Sequence, residues 1–503
     1  TNELRCKNND ALIEEMKKVF KEMAMADIEK NFSGKNFAVA PVIGADETIV
    51  SKHMNDRDMV LDIDDHNVGK FKAVGHPIKF EKTPATVYKS SPKLGEDTVS
   101  VLKELGYTDE EITEMIDKDI IQTVYKYMTY KNDFDKVIDR RNTYSFKWNN
   151  ENHGLDDGMI IPMWVADMDF RCAQPIVDAV VERAKHGIYG YPVRAEDHAE
   201  CIMAWQKKRF GTEPKKEWIS YAPPGVIFAV YIMLEMLTDK GDKVLLLMPN
   251  YDPLFEMIPK SGRELVESQL LLDENGKVTI DFEDLEAKMK QGGIKMLTIS
   301  NPHNPSGRIW SREELSRIAE LAEKYGIFVV SDEIHADFIA KDKGHVPFYS
   351  ISESAAKNSM SCYSANKGFN LGGFQTSTLI IADEAKKQQF DKVIEISQTR
   401  LDNIFGAIAT RTAYTEPECE IWLDEAISYV EENKRYLYNF LEKEIPQIKA
   451  VPSEGTYLVW VDCSGMGYNT GKELEDFFFN KAKVEPCMGY EFGSAGELFV
   501  RMN

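Results

Sequence analysis

Apolar residues in the middle of this chain come in short unbroken runs, KVLLLM, IKMLTIS, IFVVSDE, SMSCYSA and TSTLIIAD, separated by longer stretches of helical periodicity. A run without polar alternation is the pattern of a strand buried on both faces. The spacing therefore predicts an α/β domain with a mostly parallel sheet. Between the runs, SREELSRIAELAEKYG opens on Ser311 with Glu314 three residues later, a capping box that fixes a helix start. APPGVIFAVYIMLEMLTD reads as an apolar helix opening at Gly225 and Val226. From about Phe405 the pattern turns helical, and KAVPSEGTYLVWVD and ELFVRMN then read as strands of a smaller α+β domain. Acidic stretches such as ELEDFFF and YVEENKRYLYNFLEKE read as helices with a solvated face over a core.

The first 130 residues follow a different rhythm: a proline-rich approach, GHPIKFEKTP, then PKLGEDTVSVLKELGYTDEEI, an amphipathic helix followed by a second capped one. Four segments result: 1–130, an arm over 131–174 that joins part of the small domain, a large domain over 175–405, and a small domain over 406–503. A length of 503 residues agrees with roughly three domains.

Composition narrows the functional classes. A net charge of −22 opposes binding to nucleic acid and to anionic membranes. No apolar run reaches the roughly 20 residues of a membrane helix, and no signal peptide opens the chain. Seven scattered cysteines without C-x-x-C spacing suggest free thiols in a reducing, cytoplasmic compartment.

Chemistry concentrates where apolar runs end. SANKGFNLGGF, residues 364–374, sets Ser364 three positions before Lys367, between a strand and a glycine-rich loop. A desolvated lysine forms a Schiff base with an aldehyde near neutral pH, and Ser364 could donate to a phosphate, as in pyridoxal phosphate enzymes. IFVVSDEIHADFI delivers Asp332 at a strand end, where a buried carboxylate can keep a pyridine nitrogen protonated. Asp332-Glu333-Ile334-His335 can also be read as a metal cluster, but there are nine histidines and none recurs at helical ligand spacing, so no metal is expected. NPHNPSG, residues 301–307, is an extended turn in which Asn304 can face the cofactor's phenolic oxygen. The first free N–H groups of the helix at Gly225 and Val226 suit a phosphate dianion, and Tyr251 of PNYDPLF offers a ring to stack on the pyridine.

Taken in order, Gly225, Asn304, Asp332 and Lys367 resemble the fold-type I aminotransferase superfamily. DFDKVIDRRNTYSFKWN, IIPMWVADMDF and KGFNLGGFQTS are closer still to cystathionine β-lyases of the MalY/PatB type, over about residues 131–503. The resemblance implies a homodimer that binds pyridoxal 5′-phosphate and acts on a small amino acid. It makes Lys367 the Schiff-base lysine and the base for the α proton, Asp332 the partner of the ring nitrogen, and Asn304 and His335 neighbours of the phenolic oxygen. Tyr251 would stack on the ring. Gly225, Val226 and Ser364 would bind phosphate, with Tyr191 of GIYGYP reaching across from a second subunit. Arg501 would clamp the substrate carboxylate bidentately, and Trp164 would border the substrate at the mouth. The favoured reaction is carbon–sulfur β-elimination to thiol, pyruvate and ammonia. Transamination by the same residues and a regulatory protein that retains the fold are the alternatives.

Some positions depart from that family. Lys367 is followed by Gly368, and Gly372-Gly373-Phe374 stands where relatives have Ala-Gly-Leu, which leaves the substrate open. Gln375 stands where aminotransferases often carry a phosphate-binding arginine, which favours the lyase branch. The chain begins at Thr1 without an initiator methionine and stops two residues past Arg501, which reads as a piece of a longer protein. The first 130 residues resemble the C-terminal part of family III CoA-transferases. That family's catalytic aspartate lies outside the resembling part, so no transferase activity is expected of this segment.

Overall fold

The computed structural model describes residues 132–503 apart from 157 and, before them, residues 4, 7–32, 34–35, 44–65, 69–82, 87, 97–108, 111–112 and 115. They divide between two compact units, one within Thr1–Thr129 and one within Tyr130–Asn503. In the first unit, helices Asn9–Lys21 and Met25–Phe32 precede an antiparallel hairpin of β1 (Val60–Asp65) and β2 (Gly69–Val74), and helix Thr98–Glu104 follows. Thr108 and Glu111 exchange side-chain and backbone hydrogen bonds, as the second helix start requires. Lys131 and residues 83–84, 92–96 and 109–110 of the motifs quoted above lie outside the described residues.

The second unit is built on two sheets. The smaller one begins in the arm with β3 (Ile161–Met163). The large sheet comprises β4 (Ile219–Tyr221), β5 (Lys243–Met248), β6 (Glu264–Leu272), β7 (Val278–Ile280), β8 (Ile294–Ser300), β9 (Phe328–Asp332), β10 (Ser359–Tyr363) and β11 (Thr378–Ile381). Its order is β4-β11-β10-β9-β8-β5-β6-β7. The five central strands from β10 to β6 are parallel, and antiparallel strands close both edges. Strand β5 shows why its sequence does not alternate. Val244, Leu246 and Met248 face one helical layer, with Val226–Leu237 and Glu384–Ile396, while Leu245 and Leu247 face the other, with Phe282–Lys290 and Arg312–Tyr325. Each face buries apolar side chains at about 25 cal/mol per Å², so a polar residue on either side would be costly. The Ser311–Glu314 capping box opens helix Arg312–Tyr325 as the sequence requires.

The smaller sheet continues with β12 (Lys449–Ala450), β13 (Val459–Asp462), β14 (Val484–Met488) and β15 (Phe499–Met502), in the order β12-β13-β15-β14-β3. β3 pairs parallel with β14, which ties the arm to the chain's end across more than 300 positions. Strand β14 is held by this pairing and by that with β15. The 28-residue helix Pro417–Glu444 packs Trp422, Leu423 and Ala426 against the arm's Phe134 and Ile176 of the following helix Gln174–Lys185.

Candidate active site

The site forms where the parallel strands end. Ser300 at the end of β8, Asp332 at the end of β9 and Cys362 near the end of β10 lie in register, and the segments that follow carry the reactive side chains over one edge. This is where open α/β sheets hold ligands, because each strand delivers a side chain at the same height before the chain turns back.

Lys367 sits on a single helical turn, Ala365–Gly368, whose N-terminus is capped by Ser364 accepting from the Asn366 N–H at 3.1 Å. The turn lies so close to the DEIHAD segment that a Cβ on Gly368 would fall 2.7 Å from that of Asp337, so the departure to glycine at 368 has a packing reason. The Lys367 ammonium donates to the carbonyl of Ala166 at 2.6 Å, and the Tyr457 hydroxyl donates to the same oxygen at 2.9 Å. Burial, helped by the Arg501 guanidinium, pulls the Lys367 pKa down to about 8. Asp332 is buried and accepts the Ile334 N–H at 3.1 Å. Burial raises its pKa to about 6, which leaves a carboxylate in need of a positive partner.

Arg501 is 3% exposed. On β15 it lies in register with Trp460 on one side and Cys487 on the other. One of its terminal nitrogens donates to Asn304 Oδ1 at 3.0 Å and the other to the Trp164 carbonyl at 2.6 Å, while its Nε is buried without a partner. His335 is 3% exposed, with burial holding its imidazole well below the usual pKa and therefore neutral; its Nδ1 also lacks a partner. Tyr251 precedes helix Asp252–Lys260, half-buried, and burial pushes its phenol up to about 12. Gly225 has φ +108° and ψ 179°, a conformation that only glycine adopts without strain, and it turns the chain into helix Val226–Leu237 with the first N–H groups open.

A cavity of about 550 Å³ gathers Lys367, Asp332, Asn304, His335, Tyr251, Gly225, Val226, Trp164 and Arg501. A second, of about 1350 Å³, runs along the arm and shares Ala166, Tyr251 and Lys367 with it. Two residues singled out in the sequence stand apart. The Ser364 hydroxyl donates to the Thr376 carbonyl at 2.6 Å and lines neither cavity, so it holds the lysine's turn. Tyr191 is 94% exposed and outside both cavities. Sequence reasoning also missed the Ala166 carbonyl, which holds the lysine, Tyr457, which donates to that carbonyl, and Cys487, Asp252 and Glu491, which line the cavity. Ala166 acts through its backbone, Asp252 opens the helix directly after Tyr251, and Tyr457, Cys487 and Glu491 come from a loop, a strand and a helical turn near the chain's end that no local pattern marks.

The aminotransferase class I and II family matches residues 187–485, and the CoA-transferase family III matches residues 1–98. The chain is 38% identical to cystathionine beta-lyase PatB of Bacillus subtilis (strain 168), over 74% of this chain and 94% of that protein. Among solved structures it resembles the PLP-bound putative aminotransferase from Clostridium difficile 630, with a TM-score of 0.70 and 35% identity over 74% of this chain and 95% of that one. It also resembles the PLP-bound C-S lyase from Staphylococcus hominis, with a TM-score of 0.66 and 31% identity over 74% and 94%. By that match over residues 187–485 and by these relatives, the chain belongs to the aminotransferase class I and II family.

Proposed function

We propose that this chain is a pyridoxal phosphate-dependent carbon–sulfur β-lyase acting on cysteine-type thioethers. The observation that carries the reading is the buried Lys367 amine, with a pKa of about 8, opposite a buried carboxylate at Asp332. The cavity fits the cofactor: it offers an aldehyde-reactive amine, a carboxylate for a pyridinium, the open helix start at Gly225 and Val226 for a phosphate, and unpartnered nitrogens on His335 and Arg501. Pyridoxal phosphate, when bound, supplies an aldehyde for the substrate's amine and a ring that accepts the electron pair released at Cα.

The chain's own residues do the rest. Arg501 receives the substrate carboxylate in place of its contacts to Asn304 and Trp164, which fixes the Cα–H bond relative to Lys367. Lys367, held by the Ala166 carbonyl, removes the α proton, and its lowered pKa suits a base working near neutrality. The Cβ–S bond then breaks, the thiolate leaves with its electron pair and takes up a proton, and one water is consumed in releasing pyruvate and ammonium. Asn304 and neutral His335 would hold the cofactor's phenolic oxygen and Tyr251 its ring, while Trp164 borders the mouth. Tyr191, exposed here, would reach the cofactor phosphate of a second subunit in a homodimeric working unit. The six described cysteines are free, which supports a reducing cytoplasm, and among the described residues no helix is long and apolar enough to cross a membrane. Segment limits at 130, 174 and 405 remain part of this reading.

The test is to incubate the purified chain with cystathionine, with cysteine, and with an amino acid plus a 2-oxo acid. Thiol and pyruvate are expected. A new amino acid without thiol would replace elimination by transamination.

A further inference from the structure

Both reactive cations of the site rest on one short loop. Trp164 to Phe170 follows β3, and its carbonyls at Trp164 and Ala166 accept from Arg501 and from Lys367, each at 2.6 Å. The aim of either cation therefore depends on where this loop lies. Arg140 and Lys147 of the arm hold its side chains: Arg140 pairs with Asp167 at 2.8 Å and with Asp169 at 2.6 Å, and Lys147 pairs with Asp169 at 2.7 Å. Those pairs fix the loop to the arm but not to the lysine.

The tie to the lysine is Asn370. It stands in the same SANKGFNLGGF segment, just after Lys367, and the chemistry described above gives it no role. Its side-chain amide accepts the Met168 N–H at 3.1 Å and donates to the carbonyls of Met168 at 2.8 Å and of Phe170 at 3.0 Å. Its own carbonyl accepts the Cys172 thiol at 3.6 Å. An amide can accept and donate at once, whereas a carboxylate would set its charge against two carbonyl oxygens. Asn370 has φ +59°, in the left-handed region, where a residue with a Cβ persists when its surroundings over-determine it. Between the lysine and this amide, Phe369 is buried and stacks on Trp422, so the two move as one piece.

We propose that Asn370 is a positioning residue for Lys367: by fastening residues 168–170 to the lysine's own segment, it keeps the Ala166 carbonyl where it aims the amine at the substrate's α proton. The proposal rests on the reading of Lys367 as the base. Arg501 has a second hold at Asn304 and sits in β15 between two partner strands, so binding of the carboxylate does not depend on the tie.

Asn370→Gly removes the three side-chain hydrogen bonds and keeps the left-handed backbone, and two measurements on it test the proposal. In the cofactor-loaded full chain, kcat for S-ethyl-L-cysteine should fall by roughly tenfold or more while KM changes little. The deuterium isotope effect at Cα should grow, because proton removal becomes the slower step. A merely structural loss lowers kcat with the isotope effect unaltered, and that result overturns the proposal, as does a raised KM with kcat kept. The second measurement uses the cofactor-free full chain and follows capture of a small aldehyde by Lys367, trapped with cyanoborohydride and located by peptide mapping. The Ala166 carbonyl and the Asp167 carboxylate both favour the ammonium form, so loosening the loop that carries them should bring the midpoint roughly one pH unit below the parent's. A midpoint at or above the parent's overturns the proposal. If the parent removes no α proton from any amino acid, the lyase reading falls and this arm decides alone. Asn370→Ser, neutral and too short to span the three partners, should give the same results and serves if the glycine variant fails to fold.

Discussion

Lys367 owes its chemistry to where it is buried. An ordinary lysine titrates near 10.5, whereas burial and the Arg501 guanidinium bring this one to about 8. In the cofactor-free chain, capture of a small aldehyde by the free amine should therefore rise with an apparent pKa of about 8 and disappear in Lys367→Ala. Because Arg501 is one of the causes, Arg501→Leu should move the midpoint upward, and a midpoint near 10.5 in the unaltered protein would sink the assignment. Arg501→Lys should raise KM for the amino acid by roughly tenfold or more while cofactor binding persists, since a point charge cannot replace two charge-assisted hydrogen bonds. Unchanged KM across several substrates would mean that another group holds the carboxylate. Lys367, Asp332 and Asn304 are legible in the sequence because each follows an apolar run, so the side chain must emerge at a strand's carboxyl end. Ala166 is not legible: its contribution is a carbonyl, which every residue has, and its position opposite Lys367 depends on a pairing 201 positions away.

At the scale of elements, the short strands and the helix caps were readable for local reasons. KVLLLM must be covered on both faces, and Ser311 with Glu314 satisfies its own helix start. Gly225 is a sharper case. Its φ of +108° with ψ near 180° admits a side chain only at a cost of about 1–3 kcal/mol, although no atom lies within 4 Å of a Cβ built there. Gly225→Ala should lower unfolding stability by that amount and weaken retention of the cofactor phosphate, measured by denaturant melts with and without cofactor. A variant as stable as the parent would show that the turn relaxes freely. β14 marks the limit of local reading. VEPCM carries a proline and a glutamate and has no strand periodicity of its own, yet it is a strand because β3 and β15 supply partners on either side.

For the whole molecule, the two units carry separate expectations. Deleting residues 1–130 should leave cofactor absorbance and turnover largely intact, since every residue gathered in the cavity comes from residue 146 onward. Expression of residues 131–503 alone, with activity and sedimentation compared to the full chain, checks this together with the dimer. A fully active monomer would contradict the role given to Tyr191, and CoA transfer between carboxylates that is lost on deletion would make the protein bifunctional. The sequence by itself determined the α/β class, the buried strands β5, β8, β9, β10 and β11 and the residues that follow them, because burial on both faces and helix capping act over a few neighbouring positions. Only the tertiary structure decided which carbonyl holds Lys367, that Ser364 spends its hydroxyl on Thr376, and that Asp252, Cys487 and Glu491 share one cavity. Those contacts join segments 12 to more than 200 residues apart, and nothing in the local pattern records which distant backbone a side chain will meet.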